Sequence, residues 1–419
     1  MPRDLNAASA DVAVDLFGYF DCELSPLSDH PSPQEVEQRT GIKATPYHWP
    51  APQTIEPRDW IFGRWILRGE LTTVISPGGV GKSGLLTASA LSLASGINII
   101  GIAPYSGPQT VWLWNLEDDR IELNRQVAAN SIAHSISPEG CADRLYVDSG
   151  IDQRLCMAIE GPEGFMIVEP VFDALLEELK ARKIDVLIID PFVSSHQISE
   201  NDNGKIDAIA KSWKRLAQAA GCAVVLAHHS RKSNGQETTV EDSRGASSLG
   251  DAARVSLVLN RLNKTEAQAF GVTDDSERSV IFRVNHGKSS RSPPENASWF
   301  QMQSTNLGNS RPDKPADEVG VVMLWKPPDL LDGVTNGHLK QVQRLVDKGD
   351  YRESQQSPDW IGNAVAEVLG WDMEAPNQKA KIRSILKIWI ENRKFKVEKR
   401  QDKTRKMKSF MVVDEWSVS

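Results

Sequence analysis

A chain of 419 residues exceeds what one compact core usually organises, and it predicts two folded domains plus tails. With 40% hydrophobic and 25% charged residues, 29 Gly and 23 Pro, the composition excludes collagen-like, coiled-coil and wholly disordered chains. The net charge of −8 argues against a surface that coats nucleic acid throughout, yet residues 379–408 hold 13 Lys and Arg against 3 acids, a local +10 that leaves −18 for the rest.

Residues 1–50 mix Pro, Ser, Asp and Glu with little periodicity and read as a mobile tail with a short helix near Ala13 to Phe20. The start shows no apolar core behind a basic cap, so no export signal is expected. Cys22, Cys141, Cys156 and Cys222 lie far apart without CxxC spacing, which predicts reduced thiols, no zinc site and a cytoplasmic protein. From about Trp60 to Val284, short apolar runs alternate with helix-length segments: Leu71 to Ile75, Thr110 to Asn115, Ile184 to Asp190, Ala223 to His228, Arg254 to Leu259 and Ser279 to Val284. That pattern predicts an α/β domain over 51–302 with a mainly parallel sheet buried on both faces. Leu85 to Ala103 is broken by Thr, Ser, Gly and Asn and predicts a buried helix followed by a short strand, not a membrane span. Ile206, Ile209, Trp213, Leu216 and Ala220 recur at helical steps, and Gly221 ends the run.

The polar, proline-bearing stretch 303–318 reads as a linker, and 319–419 as a second domain. There Leu339, Val342, Leu345 and Val346 mark one amphipathic helix. Trp360, Ile361, Ala364, Val365 and Val368 mark a second, with Ser357 as N-cap, Pro358 at the first helical position and Gly370 after its end. Ile382, Ile385, Leu386, Trp389 and Ile390 mark a third, and Phe395 to Lys399 and Lys408 to Val413 then alternate about a polar turn. Three helices and a basic terminal hairpin follow the order of a winged helix-turn-helix.

After the strand LTTVI comes Ser76-Pro77-Gly78-Gly79-Val80-Gly81-Lys82-Ser83-Gly84, opening a helix. A strand, a glycine-rich turn and a helix N-terminus together aim backbone N–H groups and a positive dipole end at phosphate oxygens. This is a P-loop for ATP, in which Lys82 reaches the β- and γ-phosphates and the Ser83 hydroxyl coordinates Mg²⁺. Ser76 replaces the pattern's first glycine. Asp190, at the C-terminal end of an apolar strand, is the expected Walker B carboxylate for the same magnesium. Of the three acids that end VWLWNLEDD, Glu117 is best placed to face a nucleotide, whereas Asp118 or Asp119 also suits an N-cap. His228 and His229 end a strand, where neighbours point to opposite faces, so at most one faces the site. Loops after the strands, with Lys205, Arg231 and Lys232, are candidates for carrying ATP state to a second ligand.

SPGGVGKS, the NLEDD strand end, LIIDPFVSSH followed by ENDN, AVVLAHHSRK and SRGASSLGDAAR, in this order over roughly residues 60–300, resemble the RecA-like P-loop ATPases of the plasmid RepA type, hexameric replicative DNA helicases. The resemblance implies that Glu117 polarises the attacking water, that His229 senses the γ-phosphate and that Arg254 reaches into a neighbouring subunit's site. The bland alternative for Arg254 is a strand-start residue paired with Asp251. Lys288 and Arg291 are weaker candidates for contacts across that interface. It also implies a homo-hexameric ring with single-stranded DNA in its channel.

Lys379, Lys381, Arg383 and Lys387 decorate the third helix of the second domain, and further cations crowd the hairpin. In a winged helix such a helix enters the major groove of duplex DNA and the hairpin meets phosphate. Two functions fit these residues: an ATP-driven DNA helicase or translocase serving a plasmid, phage or other mobile element, and an ATP-gated DNA-binding regulator or loader that does not unwind. A small-molecule kinase ranks last because it leaves the basic domain without a purpose.

Overall fold

The computed structural model describes residues 43–162, 164–230, 237–240, 242, 247–291, 296–402 and 405–417. The helix expected near 13–20 and the loop cations Arg231 and Lys232 lie outside these. The chain divides into two units, Met1–Pro57 and Arg58–Ser419. The described part of the first carries one 3-10 turn, Pro52–Thr54, and an edge-on contact between Tyr47 and Trp49.

The second unit opens with β1 (Trp60–Phe62), β2 (Ile66–Leu67), β3 (Leu71–Ser76), α1 (Lys82–Ser95), β4 (Val111–Asn115), α2 (Arg120–Ala133) and β5 (Leu145–Ser149). A hairpin of β6 (Ala158–Gly161) and β7 (Gly164–Ile167) precedes α3 (Glu169–Ala181), β8 (Val186–Asp190), α4 (Asn203–Ala220) and β9 (Ala223–His229). Then come α5 (Ser247–Ala252), β10 (Val255–Arg261), α6 (Lys264–Phe270), α7 (Asp275–Val280), β11 (Ile281–Ser289), β12 (Ser298–Asn306) and β13 (Glu318–Leu324). The chain ends with α8 (Asn336–Lys348), α9 (Ile361–Leu369), α10 (Pro376–Glu391), β14 (Phe395–Gln401) and β15 (Met407–Val413).

Nine strands form one sheet in the order β13-β12-β11-β10-β3-β9-β8-β4-β5. The run from β10 to β5 is parallel, and β11, β12 and β13 add antiparallel strands at one edge. The expected α/β class, a P-loop core around a mainly parallel sheet, is the fold of this unit. Apolar residues cover both sheet faces because each strand alternates its side chains between them. Val111, Leu113, Val186, Ile188, Val225 and Ala227 pack with Leu85 and Leu86 of α1, whereas Leu187, Val224 and Leu226 pack with Ile206, Ile209 and Trp213 of α4. Helix α4 begins where the Asp202 carboxylate accepts from Lys205 N–H at 3.1 Å and ends where Gly221 turns left-handed.

Three expectations are corrected. The stretch 303–318 is not a linker: residues up to Asn306 belong to β12, and β13 returns beside it with Val321 and Val322 fully buried. The polar residues form the loop between two sheet strands, so the core runs to Leu324. Helix α9 starts at Ile361 with Trp360 as its N-cap; Ser357 and Pro358 lie in the preceding turn. No strand follows α1 directly, since residues 96–103 run as loop. Helices α8 to α10 and the β14–β15 hairpin share a separate apolar core built on Val342, Ile361, Val365, Ile382, Ile385 and Phe395. No helix of the described residues is long and apolar enough to cross a membrane.

Candidate nucleotide site

Strand β3 leaves the sheet at Ser76 and α1 begins at Lys82, with Gly81 between turn and helix in left-handed conformation (φ +116°). A Cβ on Gly81 would lie 2.8 Å from Met302 Sδ and 3.2 Å from the Phe282 ring, so both the backbone and the packing demand glycine there. No acid occupies the first turn of α1, and a lysine there opposes the helix dipole. That choice is stable because Lys82 Nζ sits 2.8 Å from Asp190 Oδ1, with both side chains 5% exposed. The Ser76 hydroxyl is fully buried and has no hydrogen-bond partner among the described residues.

Alternation decides which strand ends reach the P-loop. Asp190 shares a face with Val186 and Ile188, and His229 with Val225 and Ala227, which is the face that α1 covers. His228 therefore points to the opposite face, where it is 1% exposed, with Nδ1 4.0 Å from Glu200 Oε1. One histidine of the pair faces the site side, as alternation predicts, and it is His229, whose backbone is level with Ser76 of β3.

Glu117 lies two residues beyond β4. Asn115 Oδ1 accepts from the N–H groups of Glu117 (2.8 Å) and Asp118 (2.7 Å), and this side-chain turn shapes the strand exit. Asp119, not Asp118, caps α2 by accepting from Glu122 N–H at 2.8 Å. Partial burial, then the neighbouring carboxylate of Asp190, raise the Glu117 carboxyl above the ordinary glutamate range, with Lys82 pulling the other way. Asp190 and the half-buried Ser83 offer the oxygen donors that Mg²⁺ takes, and the cation of Lys82 beside Asp190 marks that carboxylate's environment as one that already holds a positive group.

Arg254 does not join this group. Its N–H donates to the carbonyl of Leu71 at the start of β3, so it sits a strand length, roughly 17 Å, from the P-loop end of the sheet. Its side-chain partner is Glu70, at 3.5 Å, rather than Asp251. Lys288 Nζ instead donates to the carbonyls of Gly250 and Asp251, both at 2.9 Å, and Arg291 is exposed. Lys205 is held by Glu160 at 2.6 Å and by Asp202 at 3.1 Å, which removes it as a ready cation for a second ligand. His196, in the segment after β8, is buried against Phe192, and burial pushes its pKa down to about 4, so it stays neutral.

Residues 37–235 match the AAA domain family. Among solved structures, the crystal structure of the RadB recombinase is 14% identical with a TM-score of 0.37, covering 56% of this chain and 88% of that one. A second solved structure, an ATPase domain, is 11% identical with a TM-score of 0.39, covering 56% of this chain and 82% of that one. Likenesses this low leave the chemistry to the residues themselves.

Two residues at the site escaped the sequence reading. Asn115 is legible in hindsight as an Asx turn two residues ahead of Glu117. Arg261, the last residue of β10, follows Leu257 and Leu259 on the α1 face, and its Nη2 donates to the carbonyl of Gly79 at 2.5 Å. Alternation along β10 was the available signal.

Proposed function

We propose that this chain is an ATP-dependent DNA helicase or translocase that works as a ring, with ATP cleaved between adjacent copies. The observation that carries the reading is the split of the expected groups. Lys82, Asp190, Glu117 and His229 gather at the C-terminal ends of adjacent strands, while Arg254 lies level with the start of β3, at the other end of the sheet. Arg254 lies too far to act on the P-loop of its own copy, so in this reading the Arg254 that completes a site comes from another copy, as in phosphoryl transfers assisted in trans, whereas Arg261 is held on the Gly79 carbonyl.

In this reading the amides of Gly79 to Ser83 wrap the phosphates and Lys82 contacts the β- and γ-oxygens. Ser83 and Asp190 would hold Mg²⁺, which when bound neutralises phosphate charge. Glu117 orients water and takes its proton on the carboxylate, and its raised pKa brings it nearer the working pH of a general base. His229 reads the γ-phosphate, and Arg254 of the next copy stabilises the charge that develops. Hexameric assembly, single-stranded DNA in the channel, duplex DNA at a C-terminal winged helix and service to a plasmid, phage or other mobile element belong to the same reading. Their support is the sequence resemblance and the basic module.

A second reading, an ATP-gated DNA-binding regulator or loader, is favoured by one set of contacts. Arg261 touches the P-loop at Gly79, α6 begins three residues later, and α10 of the basic module packs on α6. Strand displacement separates the two. The first expects ATP-dependent unwinding of a forked duplex that disappears in Lys82→Ala; DNA-stimulated hydrolysis without displacement on any fork or tailed duplex favours the second.

A further inference from the structure

Helix α10 was expected to read the major groove, but its inward face is buried, the first half of its outward face lies against α6, and in the exposed second half Lys387 pairs with Glu391 at 3.9 Å. Ile382, Ile385, Leu386 and Trp389 are buried in the core of its own module. On the outward face Ala380 is only 6% exposed although it belongs to no apolar cluster of that module, and Ser384 Oγ donates to the carbonyl of Gln268 in α6 at 3.3 Å. Lys379 and Arg383 line a cleft of about 520 Å³ against Lys264 and Gln268 of α6. A major groove of about 12 Å takes a helix about 10–12 Å across by its bare outward face, and α6 covers that face of α10 at Ala380 and Ser384.

The hairpin presents the opposite picture. Strand β14 is exposed from Lys396 to Gln401. At its base the cations are neutralised: Arg393 pairs with Asp414 and Glu415, and Lys396 with Asp414 and Glu398. At its tip Arg400 stands directly across from Lys408, a like-charge pairing that destabilises a bare sheet. Arg400 is fixed by Asp350 at 2.7 Å and by the Phe410 ring at 4.2 Å. Lys399, Arg405, Lys406 and Lys408 are exposed and make no ion pair with a carboxylate among the described residues.

We infer that duplex DNA meets the C-terminal module at this hairpin tip, through its phosphates, while α10 remains docked on α6. The inference rests on the DNA reading proposed above and names the surface that serves it. Contacts of this kind grip without reading sequence.

Fluorescence anisotropy with a labelled duplex of random sequence, over a salt series and with the full chain, tests it. Replacing Lys399, Arg405, Lys406 and Lys408 together by Ala is expected to weaken binding about tenfold or more and to lower the slope of log K against log salt by up to about 3.6, with no loss of thermal melting. Gln268→Cys with Ser384→Cys pins α10 to α6 on oxidation, and the oxidised and reduced proteins are expected to bind equally. An unchanged salt slope in the tip variant, or a loss of affinity on oxidation that reductant restores, overturns the inference and leaves DNA binding itself standing. Failure of the unaltered chain to bind any duplex overturns both.

Discussion

Lys82 Nζ lies 2.8 Å from Asp190 Oδ1 with both side chains 5% exposed, so each charge is the other's replacement for water. Removing one partner of such a pair strands the other, at a cost of about 3–5 kcal/mol, whereas removing both is milder. Urea unfolding of Lys82→Ala, Asp190→Ala and the double variant is expected to be strongly non-additive, with the double variant more stable than the sum of the single losses. Additive losses would show that water already screens the pair. All three variants are expected to lose ATP binding in calorimetry.

The raised carboxyl of Glu117 gives the pH profile a definite sign. A base whose pKa is raised stays protonated, hence inactive, to higher pH, so turnover is expected to climb through an acid limb above the ordinary glutamate value of 4.5. Because Asp190 is one of the groups that raise it, Asp190→Asn is expected to move residual activity's limb downward. Glu117→Gln is expected to bind ATP normally and turn over about 10²–10⁴-fold more slowly. A limb that stays put in Glu117→Gln would assign it to another group.

Arg254 and the P-loop lie at opposite ends of the sheet, which makes a mixing experiment decisive. Arg254→Ala is expected to bind ATP and to slow turnover about 10³-fold or more. Mixed with the equally inactive Lys82→Ala chain, it is expected to regain part of the wild-type rate, because some interfaces then join an intact P-loop to an intact arginine. Mixtures no more active than their components would remove Arg254 from a role in trans.

The sheet membership of β13 predicts where the chain tolerates truncation. Ending it after residue 318 strips β13 and with it Val321 and Val322, each fully buried and each worth about 1.5–3 kcal/mol. It also removes the carbonyl of Val322 that meets His134 of α2 at 3.1 Å. That chain is expected to melt well below one ended after 326, which keeps the sheet and the Trp325 contact with Trp299. Equal melting temperatures would place β13 outside the cooperative core.

The features legible in the chain were local ones. The P-loop declares itself because a strand, a glycine turn and a helix start fall within fifteen residues, and Asp190 because an apolar run ends in an acid. The two-residue period of a strand says that at most one of His228 and His229 faces the site; the resemblance pointed to His229, and the packing of Val225 and Ala227 against α1 puts it on that face. The resemblance to RecA-like ATPases then proposed roles that no spacing could supply.

What spacing could not supply was strand neighbours and partners far along the chain. A polar stretch reads as a linker until β12 and β13 are seen to pair on either side of it, since pairing is made between strands and not within one. Arg254 resembled any strand-start residue until the parallel register of β10 with β3 put it a whole strand away from Lys82. A helical stripe of Lys379, Arg383 and Lys387 says that one face is charged but not whether water, DNA or α6 lies against it, and only the packing of α10 on the ATPase core answers that.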